Sequence, residues 1–293
     1  MAVHDDGGVL VVRSVDELRA VVRDARREGS RIGFVPTMGY LHDGHLSLIR
    51  RAVAECDVAV TSIFVNPTQF NDPADLAAYP RDEAHDLELA RAAGCTIAFL
   101  PSVHAVYPPG FATTVRIDGP ITEALEGAVR GPQHFWGVAT VVAKLFSMVA
   151  PDAAFFGQKD AQQCVVVRRL ITDLDLPIEL VVCPTLREPD GLAMSSRNVR
   201  LGPADRQRAV ALIEALRAAE LAVTSGTTTA EDVRVVATKA MLDRGVVPEY
   251  VAVVDPSTFA ALDCIQRRAL VLVAAEVGPV RLIDNLFVER GTV

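Results

Sequence analysis

Short apolar runs alternate with helical patterns through the first two thirds of this 293-residue sequence. Five runs favour β-strands: IGFV at 32–35, VAVTSIFV at 58–65, TIAFL at 96–100, AAFF at 153–156 and IELVV at 178–182. Between the first two runs, residues 45–56 repeat apolar side chains at helical spacing. Strands that alternate with helices form parallel sheets covered by helices on both faces. The pattern therefore predicts an α/β fold built on a Rossmann-like, doubly wound parallel sheet.

The pattern changes after about residue 187. Five segments follow, two with helical spacing and then three that favour strands: 203–223, 229–243, 250–255, 269–277 and 281–286. These segments predict a smaller α+β domain. We place the boundary in REPDG at 187–191, so that the first domain covers residues 1–187 and the second covers residues 188–293.

The charge balance limits the partners that we expect. The chain has 29 Lys and Arg residues against 37 Asp and Glu residues, a formal net charge of −8. Nucleic-acid and membrane-surface binding usually require a basic stripe, so we expect neither partner. A small anionic substrate remains compatible, because a local basic cluster can hold it inside an acidic protein.

Cysteine usage and hydropathy predict a cytoplasmic location. The five cysteines are odd in number and form no C-x-x-C pair, which favours reduced thiols over disulfides or a zinc site. No apolar stretch reaches the length of a membrane span, and residues 1–30 carry mixed charge instead of a signal-peptide pattern.

Two histidines follow the first predicted strand, in PTMGYLHDGH at 36–45. In a doubly wound fold this joint places a helix N-terminus at the carboxyl edge of the sheet, where ligands bind. Gly39 and Gly44 permit close backbone approach, and His42 and His45 can donate hydrogen bonds to phosphate oxygens. The pair could also be half of a metal site, or could simply cap the helix.

Two further stretches carry groups that suit a polyphosphate. In MSSRN at 194–198, two hydroxyls and a guanidinium stand side by side. In FFGQKDAQQ at 155–163, Lys159 follows a strand end directly, and Asp160 could accept hydrogen bonds from a ribose. An ordinary solvated loop would also explain Lys159 and Asp160.

Together these stretches resemble the pantothenate synthetase family, within the class I nucleotidyltransferase group that shares its HxGH turn and mobile KMSKS-like loop with class I tRNA synthetases. The resemblance covers nearly the whole chain. It rests on six segments: VPTMGYLHDGH, SIFVNPTQF at 62–70, AYPRD at 78–82, TVVAKLF at 140–146, FFGQKD and PTLREPDGLAMSSRN at 184–198.

The resemblance implies an ATP-dependent ligase that condenses pantoate with β-alanine. ATP would activate the pantoate carboxylate as pantoyl adenylate with loss of pyrophosphate, and the β-alanine amine would then displace AMP. It also implies Mg²⁺ as a cofactor and a homodimer formed through the N-terminal domain. Catalysis of this kind is mostly positioning and electrostatic stabilisation.

The resemblance assigns roles to individual residues. The implied catalytic residues are His42, His45, Lys159 and Arg197. The implied ATP site comprises these four and Met38, Gly39, Gly44, Gly157, Asp160, Leu186, Met194, Ser195 and Ser196. Pantoate and β-alanine would contact Pro36, Met38, Asn66, Gln69, Tyr79, Val138, Val141, Val142, Phe156 and Gln163. The three valines could equally belong to an ordinary core helix.

Three departures from the family pattern lie around this site. The usual pair of acidic residues near the magnesium reads His85-Asp86, which leaves Asp86 as the expected metal ligand, since Mg²⁺ prefers oxygen. Gln158 and Ala161 replace a common Glu and an aromatic residue. The run RGPQHFW contains Gly131 and Trp136 where the family has a shorter pattern.

Other functions remain open at this point. The chain could be a diverged amide ligase that applies the same adenylation chemistry to another acid or amine. It could also be a nucleotide adenylyltransferase or an RNA-binding relative of the tRNA synthetases, although the charge of −8 argues against RNA. A catalytically silent scaffold is disfavoured by the intact HxGH, Lys159 and SSR groups.

Overall fold

The computed structural model describes residues 4–5, 8–71 and 73–291. The chain divides into two compact units. The first comprises Met1–Gly157 and Val166–Cys183, and the second comprises Gln158–Val165 and Pro184–Val293. No helix in the described ranges is long and apolar enough to cross a membrane.

The first unit is built on a seven-stranded sheet with the order β1-β2-β5-β4-β3-β6-β7. The strands are β1 (His4–Asp5), β2 (Leu10–Val12), β3 (Ile32–Thr37), β4 (Val58–Ile63), β5 (Ile97–Phe99), β6 (Ala153–Gly157) and β7 (Glu179–Cys183). Strands β2 to β7 pair in parallel, while the two-residue β1 pairs antiparallel with β2 at the edge. The predicted Rossmann-like fold class is confirmed.

Helices cover this sheet, and its central strands are mostly apolar, with Thr37, Thr61 and Ser62 as buried polar exceptions. The helices up to the start of the second unit are α1 (Val15–Arg27), α2 (Asp43–Glu55), α3 (Pro73–Ala78), α4 (Glu83–Ala92), α5 (Val103–Val106), α6 (Pro120–Glu123), α7 (Glu126–Arg130) and α8 (Pro132–Val149). A 3₁₀ turn, Pro67–Gln69, follows β4. Phe34 and Val60, on the adjacent strands β3 and β4, are fully buried, as expected for a parallel sheet covered on both faces.

Residues 158–173 form a 3₁₀ turn, Gln158–Asp160, followed by α9 (Ala161–Asp173). The rest of the second unit contains a 3₁₀ turn, Ser196–Arg200, the helices α10 (Pro203–Ala209), α11 (Ala211–Thr224) and α12 (Ala230–Asp243), and the strands β8 (Tyr250–Val254), β9 (Arg268–Val277) and β10 (Val280–Glu289). The three strands form an antiparallel sheet in the order β10-β9-β8. Its apolar face and the helices enclose a separate core that includes Leu212, Leu216, Met241 and Val271.

The helix predicted at 203–223 is two helices in the structure. Val210 ends α10 and precedes α11, and its ψ of −19° departs from regular α-helical geometry. The next helix is capped by Thr229, whose side chain accepts a hydrogen bond from the Asp232 N–H.

Candidate active site

The carboxyl ends of β3 and β6 mark the point where the sheet reverses its order. Strands β4 and β5 lie on one side of β3, and β6 and β7 lie on the other. Ligands of doubly wound folds bind outside the carboxyl ends of the strands at such a point. Strand β3 leads into the predicted histidine motif, and β6 ends at Gly157, two residues before Lys159 in the sequence.

His42 and His45 form a reciprocal cap at the N-terminus of α2. The Gly44 N–H donates to Nδ1 of His42 at 3.1 Å, and the His42 N–H donates to Nδ1 of His45 at 3.4 Å. The ring centroids are 4.0 Å apart. Because Nδ1 of each ring is an acceptor, the proton of each neutral imidazole lies on Nε2.

The capping geometry and a phosphate role are therefore compatible. Capping uses Nδ1 and leaves the N–H of each neutral ring at Nε2, which is the donor that an anion needs. The N-terminus of the 13-residue α2 contributes the positive end of a helix dipole to the same place.

Asp86 holds the turn that precedes this helix. Its Oδ2 accepts the Tyr40 N–H at 2.8 Å and its Oδ1 accepts the Leu41 N–H at 2.6 Å. The turn requires a left-handed backbone, with φ of 79° at Gly39 and 50° at Tyr40. A Cβ atom at Gly39 would lie 2.8 Å from Asp86 Oδ2, so a glycine is needed both for its conformation and for this close approach.

The Asp86 carboxylate is 2% exposed. Burial raises its pKa, although the two backbone hydrogen bonds act in the opposite direction. Its neighbour His85 is exposed on α4, and the His85 N–H donates to the N-cap residue Asp82. Across the described ranges, no group of three or more His, Cys, Asp or Glu residues could hold a metal ion. Because both oxygens of the buried Asp86 side chain already accept backbone N–H groups of the turn, Asp86 does not fit the role of a Mg²⁺ ligand.

Several residues predicted to contact pantoate and β-alanine lie in the first unit. Gln69 Nε2 is 2.9 Å from Met38 Sδ, and Asn66 Nδ2 donates to Gln69 Oε1 at 3.1 Å. Tyr79 packs edge-on against Phe70, with ring centroids 5.7 Å apart. The side chain of Gln69 thus contacts both Met38 and Asn66.

Most of the predicted apolar pocket residues are buried. Val138, Val141 and Val142 are 2–5% exposed on α8, and Phe156 is 4% exposed on β6. Pro36 is half-buried on β3. The valines are part of the buried apolar interior of the first unit, and their contact with pantoate stays a prediction.

In the second unit, Asn285 of β10 holds the turn that carries Lys159. Its Nδ2 donates to the carbonyl oxygens of Gln158 and Lys159 at 3.0 and 2.9 Å, and its Oδ1 accepts from Gln158 Nε2 at 3.0 Å. Asn285 is 3% exposed. Lys159 Nζ lies 3.5 Å from Asp160 Oδ1, in an exposed ion pair. Gln158, one of the departures from the family pattern, is thus part of this hydrogen-bonded turn.

Charged pairs hold the loop that precedes the SSR residues. Arg187 donates to both oxygens of Asp284, at 2.6 and 3.0 Å, and Asp284 is 2% exposed. Arg206 contacts Glu188 at 2.5 Å and Asp190 at 2.8 Å. The hydrogen bond from Arg206 holds the pKa of Asp190 below its usual range.

The loop closes on itself before the SSR residues. The Met194 N–H donates to the Leu186 carbonyl at 3.0 Å, and Asn198 Nδ2 donates to Glu188 Oε1 at 2.7 Å. The Ser195 hydroxyl caps the following 3₁₀ turn by accepting the Arg197 N–H at 3.3 Å. The structure thus gives the predicted loop a defined conformation, with half-buried side chains at Ser195, Ser196 and Arg197.

The remaining predicted residue and departures have ordinary local contacts. Gln163 is half-buried on α9, and Ala161 is 3% exposed at its start. Gly131 precedes α8 with a φ of 78°, which favours glycine. Trp136 donates its indole N–H to the Ile117 carbonyl at 3.1 Å.

Four structural partners of the motifs were not identified from the sequence: Tyr107, Arg206, Asp284 and Asn285. The signal for two of them was present, since RLIDNL places Asp284 and Asn285 side by side between the apolar residues Ile283 and Leu286 of a predicted strand. No local pattern marks Tyr107 or Arg206.

The fold and this edge of the sheet define an α/β protein of the Rossmann-like class, with a helix N-terminus capped by two histidines at its switch point. Comparisons with known proteins identify the family within this class. The family model described as pantoate–β-alanine ligase matches residues 10–287. The chain belongs to the pantoate–β-alanine ligase family, and it is an enzyme of the ligase class. The resemblance identified in the sequence is confirmed.

Individual relatives align over nearly their full length. Pantothenate synthetase from Herpetosiphon aurantiacus is 50% identical over 94% of this chain and 99% of that protein. Pantothenate synthetase 1 from Bradyrhizobium diazoefficiens is 52% identical over 94% of this chain and 97% of that protein.

Solved structures show the same architecture. Pantothenate synthetase from Thermus thermophilus superposes with a TM-score of 0.86 at 46% identity, covering 94% of this chain and 98% of that one. The Francisella tularensis pantoate–β-alanine ligase, solved in complex with beta-gamma ATP and β-alanine, gives a TM-score of 0.77 at 34% identity and covers 95% of this chain and 97% of that one.

Asp86→Asn tests the anchoring of the histidine turn. The variant keeps the shape but puts an NH₂ group against one of the two backbone N–H donors. We expect the free energy of unfolding to fall by about 1–3 kcal/mol, the cost of leaving a buried polar group unpaired. Urea denaturation measures this loss. The Mg²⁺ concentration for half-maximal ligase activity should stay at the wild-type value.

His85→Asp is the matched control, because it adds a carboxylate at an exposed neighbouring position. Its Mg²⁺ titration should superimpose on that of the wild type. A higher Mg²⁺ requirement in Asp86→Asn, without loss of stability, would show that Asp86 takes part in metal binding.

Asn285→Asp tests the support of the Lys159 turn. The aspartate can still accept a hydrogen bond from Gln158 Nε2. Its second carboxylate oxygen, however, would lie against the carbonyl oxygens of Gln158 and Lys159, which need a donor. We expect a loss of about 1–3 kcal/mol in the free energy of unfolding, together with reduced turnover. Gln266→Glu adds the same charge at an exposed position of the same unit and should match the wild type. Equal stability of the two variants would contradict the support role.

Proposed function

We propose that this protein condenses pantoate with β-alanine, with ATP as the energy source and AMP and pyrophosphate as products. One observation carries the proposal: in a chain of the pantoate–β-alanine ligase family, two capping histidines place their Nε2 donors at a helix N-terminus on the switch-point edge of the sheet. The Francisella tularensis relative, bound to beta-gamma ATP and β-alanine, supports the same ligands here.

The proposed reaction has two chemical steps. A carboxylate oxygen of pantoate attacks the α-phosphorus of ATP, the bond to the bridging oxygen breaks, and pyrophosphate leaves. The amine nitrogen of β-alanine then attacks the acyl carbon of pantoyl adenylate. The bond to the adenylate oxygen breaks, AMP leaves, and the nitrogen loses a proton. No side chain of the protein becomes covalently modified.

The histidines would act on the charge that develops in the first step. Negative charge grows on the α-phosphate oxygens and on the departing pyrophosphate. Nε2–H donors of His42 and His45, fixed in direction by the cap, stabilise that charge without reorganising. Their fixed tautomer means that no proton needs to be rearranged before the reaction.

The remaining assignments follow the family. We propose that Lys159, Ser195, Ser196 and Arg197 bind ATP phosphates. Gly157, Asp160 and Met194 would line the nucleoside site, and the ATP site would also include Met38, Gly39, Gly44 and Leu186. Gln69 and Gln163 would bind pantoate. We also keep a homodimer, a cytoplasmic location and the division into domains 1–187 and 188–293 as proposals.

Mg²⁺ enters the proposal as the companion of ATP. Because Mg²⁺ is usually bound through substrate phosphates and water with few protein carboxylates, it can arrive with the nucleotide. It would neutralise phosphate charge, and the proposal assigns it no protein ligand.

Pyrophosphate release tests the function directly. Wild-type protein is incubated with ATP and a panel of hydroxy acids that includes pantoate, first without and then with β-alanine. We expect pyrophosphate release with pantoate alone, and pantothenate formation once β-alanine is present. Release with a different acid, or product formation only with a different amine, would replace the proposal by a diverged amide ligase. Transfer of AMP to a nucleotide would indicate an adenylyltransferase.

His45→Ala and Lys159→Ala test the phosphate donors. We expect each to lose mainly turnover in adenylate formation, about 10²- to 10³-fold, since such donors meet charge that appears in the transition state. Single-turnover assays of pyrophosphate release measure the step. Near-wild-type rates in either variant would contradict its assignment.

His45→Asn separates the donor from the cap. Its side-chain oxygen can replace Nδ1 as acceptor of the His42 N–H, but nothing replaces the Nε2 donor. We expect wild-type stability with the rate loss of His45→Ala. The control variants His104→Ala and Lys239→Ala remove the same groups from exposed helix positions and should keep wild-type rates.

A further inference from the structure

A chain of hydrogen bonds leads from Tyr107 through Asn66 to Gln69. The Tyr107 hydroxyl donates to Asn66 Oδ1 at 2.8 Å. The same oxygen accepts from the hydroxyl and the N–H of Thr68, at 3.0 and 3.3 Å. Burial raises the pKa of Tyr107, so its hydroxyl keeps the proton that it donates.

These donors fix which way the Asn66 amide points. Since Oδ1 faces Tyr107 and Thr68, Nδ2 faces the other side, where it donates to Gln69 Oε1 at 3.1 Å and to the Gly137 carbonyl at 3.2 Å. Asn66 is 1% exposed, so a reversed amide would set acceptors against acceptors in a dry site. The oxygen and the nitrogen of the Asn66 amide both form hydrogen bonds within the protein. Asn66 would therefore act on a ligand through Gln69.

Close packing leaves no room for a different arrangement. A Cβ atom at Gly137 would lie 2.3 Å from the Thr68 carbonyl oxygen, so α8 contacts the Pro67–Gln69 turn directly. The Gln69 carbonyl oxygen lies 2.7 Å from Nδ1 of His134 on the same helix. The backbone around Gln69 is therefore held as firmly as its side chain.

The orientation passes on to Gln69. Because its Oε1 accepts from Asn66, its Nε2 points the other way, towards Met38 Sδ at 2.9 Å. A thioether sulfur is a weak acceptor. An oxygen of a carboxylate or a hydroxyl is a much better partner for this amide, whereas a ligand N–H group is not.

We propose that Tyr107 is a positioning residue that, through Asn66, fixes Gln69 as a hydrogen-bond donor and so makes the acid site select a hydroxy acid over its carboxamide. This inference rests on the proposed function, because it concerns the acid substrate of that reaction. It adds a residue that never contacts the substrate, and a physical basis for selectivity.

Tyr107→Phe is the first test. The variant keeps the ring contacts with Phe64 and Phe111 but removes the hydroxyl. We expect KM for pantoate to rise about 5- to 10-fold, the equivalent of one neutral hydrogen bond, while KM for ATP stays unchanged. Tyr250→Phe, on β8 of the second unit, removes a tyrosine hydroxyl elsewhere and should leave KM for pantoate unchanged.

Asn66→Asp tests the direction of the chain. An aspartate has no donor for Gln69 Oε1, so the Gln69 amide should reverse and present its oxygen to the ligand. Calorimetric binding of pantoate and of pantoamide, its carboxamide, reports this change. The wild type should prefer pantoate, and Asn66→Asp should lose or invert that preference. If this variant does not fold, Tyr107→Phe still decides, since the ratio of the two affinities should shift towards pantoamide.

Failure of the inference differs from failure of the function. An active wild type whose KM and acid-to-amide preference do not change in Tyr107→Phe would refute the inference alone. A wild type that releases no pyrophosphate with pantoate would refute the proposed function, and the calorimetric ratio would still test the orientation of Gln69. Equal increases of KM for pantoate and ATP would show that Tyr107 is merely structural.

Discussion

The hydrogen bonds on both sides of β3 determine where the site of this protein lies. β3 pairs with β4 along its whole length and with β6 near its start, so it cannot shift without breaking the sheet at its centre. Its residues are buried almost throughout, as a central parallel strand requires. The strand therefore delivers the next residues, including both histidines, to a fixed position at the switch point.

The histidine turn illustrates how local structure prepares a site for its chemistry. Asp86 holds two N–H groups of a left-handed turn, and the two imidazoles then complete the cap of α2. Each contact first satisfies a backbone donor that folding would otherwise leave without a partner. The same contacts select the Nε2–H tautomer. Structural and chemical roles are thus carried by different atoms of one side chain.

A similar division appears around the other polar residues. Asn66 and Asn285 are almost fully buried, and each uses its amide to orient neighbouring groups. Arg187 pairs with Asp284 of β10, and Arg206 pairs with Glu188 and Asp190 in the loop before the SSR residues. Since a buried amide or ion pair with one missing partner is costly, such residues hold their neighbours in one arrangement. The side chains that we propose to bind the ATP phosphates are, by contrast, half-buried.

The sequence alone determined the fold class, the family and the motifs, because each is a pattern in local order. Alternating apolar runs predict strands and helices. The motifs PTMGYLHDGH and DGLAMSSRN are contiguous, so they can be identified in this one sequence without its fold. Only the tertiary structure decided what Asp86, Asn66 and Tyr107 contact. Tyr107 is 41 residues from Asn66 along the chain, and Asp86 is 46 residues from Tyr40. Hydrogen-bond direction and burial depend on those distant partners, so they cannot be derived from neighbours along the chain.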